Sequence, residues 1–125
     1  MIKAIFINPF DKEVKLIDLS LKNNDLVLEE CYKLIDCDLV EFVYSRDHRL
    51  LIVDEEGLLK EGNLPFKVEG VGQEYFVGKA LIVNETTECS YSSITSKEFE
   101  ELQNKISFPT VEEIRNRLER RSYVF

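Results

Sequence analysis

Residues 38–54, DLVEFVYSRDHRLLIVD, hold two apolar runs on either side of a charged turn. Short runs that are rich in β-branched and aromatic residues, and that flank turn residues, are typical of a β-hairpin. The stretch therefore predicts strands over residues 38–44 and 49–54, joined at 45–48. Because residues 50–53 are all apolar, we expect the second strand to lie inside a sheet that is at least partly covered on both faces.

The segments on either side extend this hairpin into a larger sheet. Residues 2–7 and 13–19 predict a first hairpin around the turn at 8–11, and residues 79–84 predict the last strand. Valine and isoleucine, with 11 and 10 residues, far outnumber alanine, with 2, which favours strands over a helical bundle. We therefore expect a mostly antiparallel sheet of about five strands.

Three segments have the apolar spacing of amphipathic helices. Residues 23–25, Asn-Asn-Asp, offer an N-cap for a helix whose apolar positions include 28, 31, 32 and 35. Residues 95–98 and 110–113 both have the pattern Thr-x-x-Glu of a capping box, in which two side-chain oxygens accept hydrogen bonds from backbone N–H groups. The sequence thus predicts a second helix that starts near 95 and a third over 110–122.

The predicted elements follow the order ββαβββαα, which gives an α+β fold. We expect a two-layer sandwich in which the first and second helices pack on the sheet. At 125 residues the chain has room for one core, so we expect one domain over residues 1–108 and a C-terminal helical extension over 109–125. All five glycines lie between 57 and 78, and we expect this stretch to be a long loop.

Composition excludes several classes of protein. With 16 basic and 24 acidic residues the net charge is −8, which argues against direct nucleic-acid binding. No apolar run is long enough to span a membrane, and the absence of a leader pattern leads us to expect a cytoplasmic protein. Three cysteines and one histidine, without a C-x-x-C pair, support neither a disulfide framework nor a zinc site, so we expect no cofactor and no metal.

Five stretches, in this order, resemble a known family. They are residues 1–9 (MIKAIFINP), 32–43 (YKLIDCDLVEFV), 50–66 (LLIVDEEGLLKEGNLPF), 76–84 (FVGKALIVN) and 94–102 (ITSKEFEEL). Over roughly residues 1–106 the chain is similar to a domain-of-unknown-function family of small proteins encoded by bacteriophages, plasmids and integrated mobile elements. The resemblance implies a genetic context in which small proteins often bind host enzymes or host defence proteins, and it does not indicate any particular biochemical activity.

The second predicted hairpin and the glycine-rich stretch carry the candidate ligand-binding residues. Arg46 and Arg49 suit an anionic group, because a guanidinium forms paired hydrogen bonds with carboxylate or phosphate. His48 is the sole histidine and the sole imidazole available as a base. The glycine-rich stretch adds polar and aromatic side chains suited to a small ligand, namely Asn63, Lys67, Gln73 and Tyr75. A solvated turn and ordinary loop polarity are the alternatives.

The third predicted helix carries a candidate contact surface for a partner or a second copy. An apolar stripe, four arginines and an apolar chain end lie within residues 111–125. The residues assigned to the contact are Val111, Ile114, Arg115, Leu118, Arg121, Tyr123, Val124 and Phe125. A solvated arginine face is the alternative for the basic positions.

No catalytic constellation stands out, so the leading hypothesis is a non-enzymatic binding protein. We expect it to sequester a small anionic, nucleotide-like ligand or to inhibit a host protein, and to form a homodimer. Two alternatives remain. One is an acidic DNA mimic that blocks a host nucleic-acid enzyme, and the other is a small nucleotide-directed hydrolase or transferase with His48 or a loop tyrosine as acid or base.

Overall fold

The computed structural model describes residues 1–45, 47–71, 75–87 and 90–122, and for residues 87 and 117–122 it describes the backbone alone. Within these ranges the chain is a mixed fold of antiparallel strands and three helices. In chain order the elements are β1 (Ile2–Asn8), β2 (Glu13–Leu19), β3 (Leu21–Lys22), β4 (Asp25–Leu26), α1 (Leu28–Ile35), β5 (Val40–Tyr44), β6 (Arg49–Asp54), a 3₁₀ turn (Gly57–Leu59), β7 (Pro65–Val68), β8 (Phe76–Val77), β9 (Ala80–Thr87), β10 (Ser90–Ser92), α2 (Ser96–Gln103), β11 (Ile106–Ser107) and α3 (Val111–Ser122).

The main sheet has the strand order β2-β1-β9-β6-β5, and every neighbouring pair in it is antiparallel. These strands are the five that the sequence predicts. The late strand β9 lies between the two early hairpins, with Ile82 opposite Ile5 of β1 and Leu51 of β6. Strand β10 pairs with the far end of β9, and Ile94 N then donates to the carbonyl of Lys3 at 2.9 Å.

Apolar side chains cover both faces of this sheet, because its inner strands are apolar at consecutive positions. On one face Leu50 and Ile52 belong to a buried cluster that includes Cys31 and Ile35 of α1. On the other face Leu51 belongs to a cluster formed with residues of β7, β8, β11 and α2. The expected two-layer arrangement is therefore not confirmed: α1 covers one face, and α2 with a small second sheet, of order β11-β7-β8, covers the other.

The glycine-rich stretch is part of this core and not the long loop that the sequence predicts. Phe66 of β7 is fully buried, and its ring lies 5.5 Å from that of Phe76 in a stacked arrangement. The glycines mark tight points between short strands: Gly78 has φ +94°, and a Cβ at Gly57 would lie 2.6 Å from the carbonyl oxygen of Val77. Strands of two to four residues are too short to show a period in sequence.

The helix starts agree with the sequence in two cases and differ in one. Thr95 and Glu98 form the predicted capping box at α2, and Thr110 Oγ1 accepts a hydrogen bond from Glu113 N at 3.1 Å at the start of α3. Residues 23–25, however, do not cap α1, which begins at Leu28 without a side-chain cap. Residues 23 and 24 have φ +54° and +62°, the values of a tight turn, and they join β3 to β4. In the described part of the chain, no helix has the length and apolar character needed to cross a membrane.

Candidate functional site

The carboxylate of Glu98 joins three elements at one end of the main sheet. Arg49, the first residue of β6, lies opposite Asn84 of β9 in the strand register. Arg49 Nη2 and Asn84 Nδ2 both donate to Glu98 Oε2 at 3.0 Å. The backbone N–H of Thr95 donates to Glu98 Oε1 at 3.1 Å. Glu98, a member of the capping box of α2, therefore also fixes the position of Arg49.

These hydrogen bonds keep Glu98 ionised. Burial alone raises the pKa of this carboxyl group, but the hydrogen bonds from Thr95, Asn84 and Arg49 outweigh burial and hold its pKa at about 2. Asp47 Oδ2 also lies 3.5 Å from Arg49 Nη1, so two carboxylates face this guanidinium. Arg49 Nε, in contrast, is buried and has no hydrogen-bond partner among the described residues.

Arg49 forms one wall of a cleft between the turn end of the β5–β6 hairpin and the turn after β7. We call it the hairpin cleft. Its apolar lining residues include Leu51, Ile82 and Leu102, and residues 68–71 and Lys105 complete its walls. The cavity has a volume of about 30 Å³, which is room for one methyl-sized or water-sized group. Such a cleft can receive the tip of a small apolar side chain.

The structure does not bring the predicted ligand-binding residues together. Arg49 is in the hairpin cleft. His48 is exposed in the turn with φ +59°, and its carbonyl accepts a hydrogen bond from Glu85 N at 3.1 Å. Lys67 is half-buried on β7. The predictions for Arg46 and Gln73 fall outside the described residues.

The other two predicted residues lie at the opposite end of β6, about 16 Å along the strand from Arg49. Asn63 Nδ2 donates to the carbonyl of Gly57 at 2.9 Å, which holds the 3₁₀ turn. Tyr75 lines a separate pocket with Gly57 and Asp54. The hairpin and the glycine-rich stretch line the hairpin cleft together, but the glycine-rich stretch contributes residues 68–71, which are not among the predicted ligand-binding residues.

An ion pair between a buried carboxylate and a partly exposed lysine holds this second end of β6. The side chain of Asp54 is only 4% exposed, and its Oδ2 lies 2.6 Å from Lys60 Nζ. Asp54 Oδ1 accepts a hydrogen bond from Glu56 N at 2.9 Å, and Lys60 Nζ also donates to the carbonyl of Asp36 at 3.2 Å. The hydrogen bond to Asp54 raises the pKa of Lys60. This pair ties the 3₁₀ turn and the end of α1 to the sheet, which is a structural role.

We expect Lys60→Met to lower the free energy of unfolding by about 1–2 kcal/mol, because it leaves the buried carboxylate of Asp54 without its cation. Asp54→Asn should cost less, since the amide oxygen can still accept from Glu56 N and the Lys60 side chain, 37% exposed, can reach water. Urea denaturation at pH 7 measures both, and a larger loss in Asp54→Asn would contradict this account. The pair's contribution is complete below the ordinary lysine pKa of 10.5 and is lost as the pH rises through the raised value.

The predicted contact surface on α3 is described only in part. Val111 is exposed and lines an apolar groove of about 220 Å³ with Pro9, Leu64 and Phe108. Ile114 is half-buried and Arg115 is exposed. The structure does not describe the side chains of the remaining members of the set, which are Leu118, Arg121, Tyr123, Val124 and Phe125.

The two cysteines in the described part of the chain are free thiols, Cys31 and Cys37. Burial raises the pKa of Cys31 to about 11. The pKa of Cys37 is also raised, mainly by burial and to a smaller extent by the negative charge of Asp54. Neither is therefore activated as a thiolate at neutral pH. Among the described residues, no group of three or more His, Cys, Asp or Glu side chains is placed to hold a metal ion.

Of three comparisons with known proteins, one gives a match, and its bounds coincide with those of the α+β part of the chain. No curated protein and no solved structure gives a significant match to the chain. A family model described as "Domain of unknown function (DUF3846)" matches residues 2–107, from the start of β1 to the end of β11. Because the match covers most of the chain and every element except α3, the protein belongs to the DUF3846 family.

Proposed function

We propose that this chain is a non-catalytic binding protein that holds a protein partner through the hairpin cleft. In this proposal it is encoded by a phage or mobile element and inhibits a host factor in the bacterial cytoplasm. A small apolar side chain of the partner enters the cleft, and a neutral oxygen such as a peptide carbonyl accepts a hydrogen bond from Arg49 Nε.

The observation that carries this proposal is that Arg49, which lines an apolar cleft, has a buried Nε–H without a hydrogen-bond partner among the described residues. An unsatisfied buried donor costs about 1–3 kcal/mol. A partner whose side chain enters the hairpin cleft and supplies a hydrogen-bond acceptor to Arg49 Nε would remove this cost. Because Glu98 and Asp47 already hold the guanidinium, little side-chain entropy is lost when the partner binds.

The same contacts favour a protein partner over a nucleotide. The guanidinium is not a free fork for phosphate, since Glu98 and Asp47 lie beside it. Among the described lining residues, Glu69 adds a further carboxylate and Lys105 is the one cation besides Arg49. A cavity of about 30 Å³ is also far below the roughly 300–1,000 Å³ typical of pockets that enclose a small molecule. A small, desolvated cleft with an arginine in its wall instead fits the kind of pocket in which hot spots of protein interfaces lie.

The test compares two arginine substitutions of apolar residues on opposite faces of the main sheet. Val71→Arg places a charged side chain at the cleft, whereas Leu28→Arg, at an exposed position on α1, leaves the cleft unchanged. We expect Val71→Arg to weaken binding of the host protein at least about tenfold, a loss of about 1.4 kcal/mol, and Leu28→Arg to bind like the wild type. Quantitative mass spectrometry of proteins retained from a bacterial lysate identifies the partner, and titration calorimetry gives the affinities.

Several results would contradict the proposal. Equal retention by both variants would mean that the partner does not use the cleft. An adduct of nucleotide mass, seen by native mass spectrometry after incubation with deproteinised lysate, would favour the small-ligand hypothesis. Nucleotide turnover that disappears in His48→Ala would favour the hydrolase, and displacement of the retained protein by DNA would favour the mimic.

A further inference from the structure

The outer edge of β5 presents unpaired backbone groups. β5 is the last strand of the main sheet, and in the described part of the chain no strand pairs with its outer side. On its inner side the carbonyl of Leu39 accepts from Glu55 N at 3.1 Å, and Ser45 N donates to the carbonyl of Arg49 at 2.9 Å. Backbone groups of successive residues in a strand point to alternate sides. The odd-numbered positions between them therefore also point inward.

It follows that Val40, Phe42 and Tyr44 direct both their N–H and their C=O groups outward. Their side chains share one face of the sheet, because Phe42 lies opposite Ile52 and Tyr44 opposite Leu50. Phe42 is 40% exposed and Tyr44 is 67% exposed. The edge thus combines free hydrogen-bonding groups with exposed aromatic side chains.

The two outer strands of the sheet differ in how they are protected. Charged side chains, especially lysine, discourage a sheet edge from pairing with another chain. β2 carries Glu13, Lys15 and Asp18, which form ion pairs within the first hairpin. β5 carries only Glu41 and has neither lysine nor proline. β5 is therefore the edge open to a further strand.

We infer that two copies of this chain associate through β5, antiparallel and with Phe42 of one copy opposite Phe42 of the other. This register pairs all the outward-pointing residues, because Val40 of each copy lies opposite Tyr44 of the other. It also sets Glu41 opposite Val43. Cross-strand aromatic and β-branched pairs of this kind stabilise a sheet, and no like charges lie directly opposite each other.

Neighbouring two-fold registers are worse on charge or on hydrogen bonding. A register centred on Glu41 places the two Glu41 carboxylates directly opposite each other. A register centred on Val43 leaves Val40 without a partner within the strand. Of these three registers, only the one centred on Phe42 makes the edge complementary to itself. Self-complementarity is what a two-fold contact between identical chains requires, whereas pairing with an unrelated sequence would not require it.

The sign of the salt dependence separates this contact from one made by the arginines of α3. Each copy has a net charge of −8, so two copies repel, and salt screens that repulsion. Pairing through β5 should become tighter as salt is added. An α3 helix bound to the acidic body of a second copy should become weaker under the same conditions.

Sedimentation velocity of the full chain over a range of concentrations tests the inference. Phe42→Pro removes an outward N–H while sparing the hydrogen bonds to β6, as proline permits on an edge strand. Tyr44→Lys adds a charge to the edge without changing the backbone. We expect each to weaken association about tenfold or more, and Leu59→Lys, at an 85% exposed leucine of the 3₁₀ turn, to leave it unchanged.

Amide hydrogen exchange supplies a residue-level readout. The N–H groups of Val40, Phe42 and Tyr44 should exchange more slowly as protein concentration rises, whereas those of Glu41 and Val43 should be protected at every concentration. A wild type that stays monomeric at all concentrations and salt levels would overturn the inference. So would association that persists in both β5 variants and is lost in Arg115→Glu, which would assign the contact to α3.

Discussion

Replacing Phe66 with alanine is expected to lower the free energy of unfolding by about 3–5 kcal/mol, the range for removing a large buried aromatic side chain. Phe66 is on β7 of the small sheet, is fully buried in the cluster that this sheet forms with the main sheet, and stacks on Phe76. Its loss leaves a cavity that the short strands β7 and β8 cannot close by moving together. Urea denaturation followed by far-UV circular dichroism measures the change.

The control for this experiment is Phe10→Ala. Phe10 lies in the turn after β1 and is 45% exposed, so its removal should change stability by less than about 1 kcal/mol. If Phe66→Ala lowered the free energy of unfolding as little as Phe10→Ala, the glycine-rich stretch would contribute little to the core. The contrast therefore tests the second layer of the fold directly.

Replacing Glu98 with glutamine is expected to lower stability at neutral pH by about 2 kcal/mol. Its pKa falls from 4.5 to about 2 on folding, and a shift of that size corresponds to about 3 kcal/mol, reduced because the side chain is 26% exposed. The side chain of glutamine is neutral and has a single acceptor oxygen, so it cannot replace both carboxylate oxygens as acceptors for Arg49, Asn84 and Thr95. It also leaves Arg49 with Asp47 as its only carboxylate among the described residues.

The pH dependence gives this prediction a distinct readout. A carboxyl group whose pKa is lowered on folding stabilises the fold above its ordinary value of 4.5, and that stabilisation is lost as the pH falls towards about 2. Between pH 5 and pH 2 the wild type should therefore lose more stability than Glu98→Gln. Glu100→Gln, at an exposed position on the same helix, is the control and should follow the wild type. Parallel curves for wild type and Glu98→Gln would contradict the assignment.

The sequence predicts the parts of this fold that have a sustained pattern. The five strands of the main sheet and the starts of α2 and α3 follow from apolar runs and capping boxes. The small sheet does not, because β8 and β11 have two residues each and the glycines between strands resemble those of a loop. Residues 23 and 24 fit both a helix cap and a tight turn, and only the pairing of β3 with β4 decides between them.

The candidate site was predictable only in fragments. Thr95 and Glu98 are identified by local spacing, and Arg49 is identified as a charged residue of the hairpin. Their connection depends on the register of β6 with β9, which places Asn84 beside Arg49, and no local pattern encodes that register. One hint was present in the sequence: Asn84 is a polar residue that ends an apolar run, and such a residue often meets a partner at the end of a strand.

The position of β9 between β1 and β6 has a consequence for biosynthesis. In the described sheet, β9 and then residues 93 and 94 supply the hydrogen-bond partners along the edges of β1 and β6 that face each other. The two N-terminal hairpins therefore emerge from the ribosome before the strand that pairs with both of them. Until then both hairpins expose unpaired apolar edges, and their pairing with β9 joins residues that are distant in sequence, which is a slow step in folding. A nascent chain that stalls before Ala80 consists of two separate half-sheets and is the form most exposed to aggregation and to chaperones.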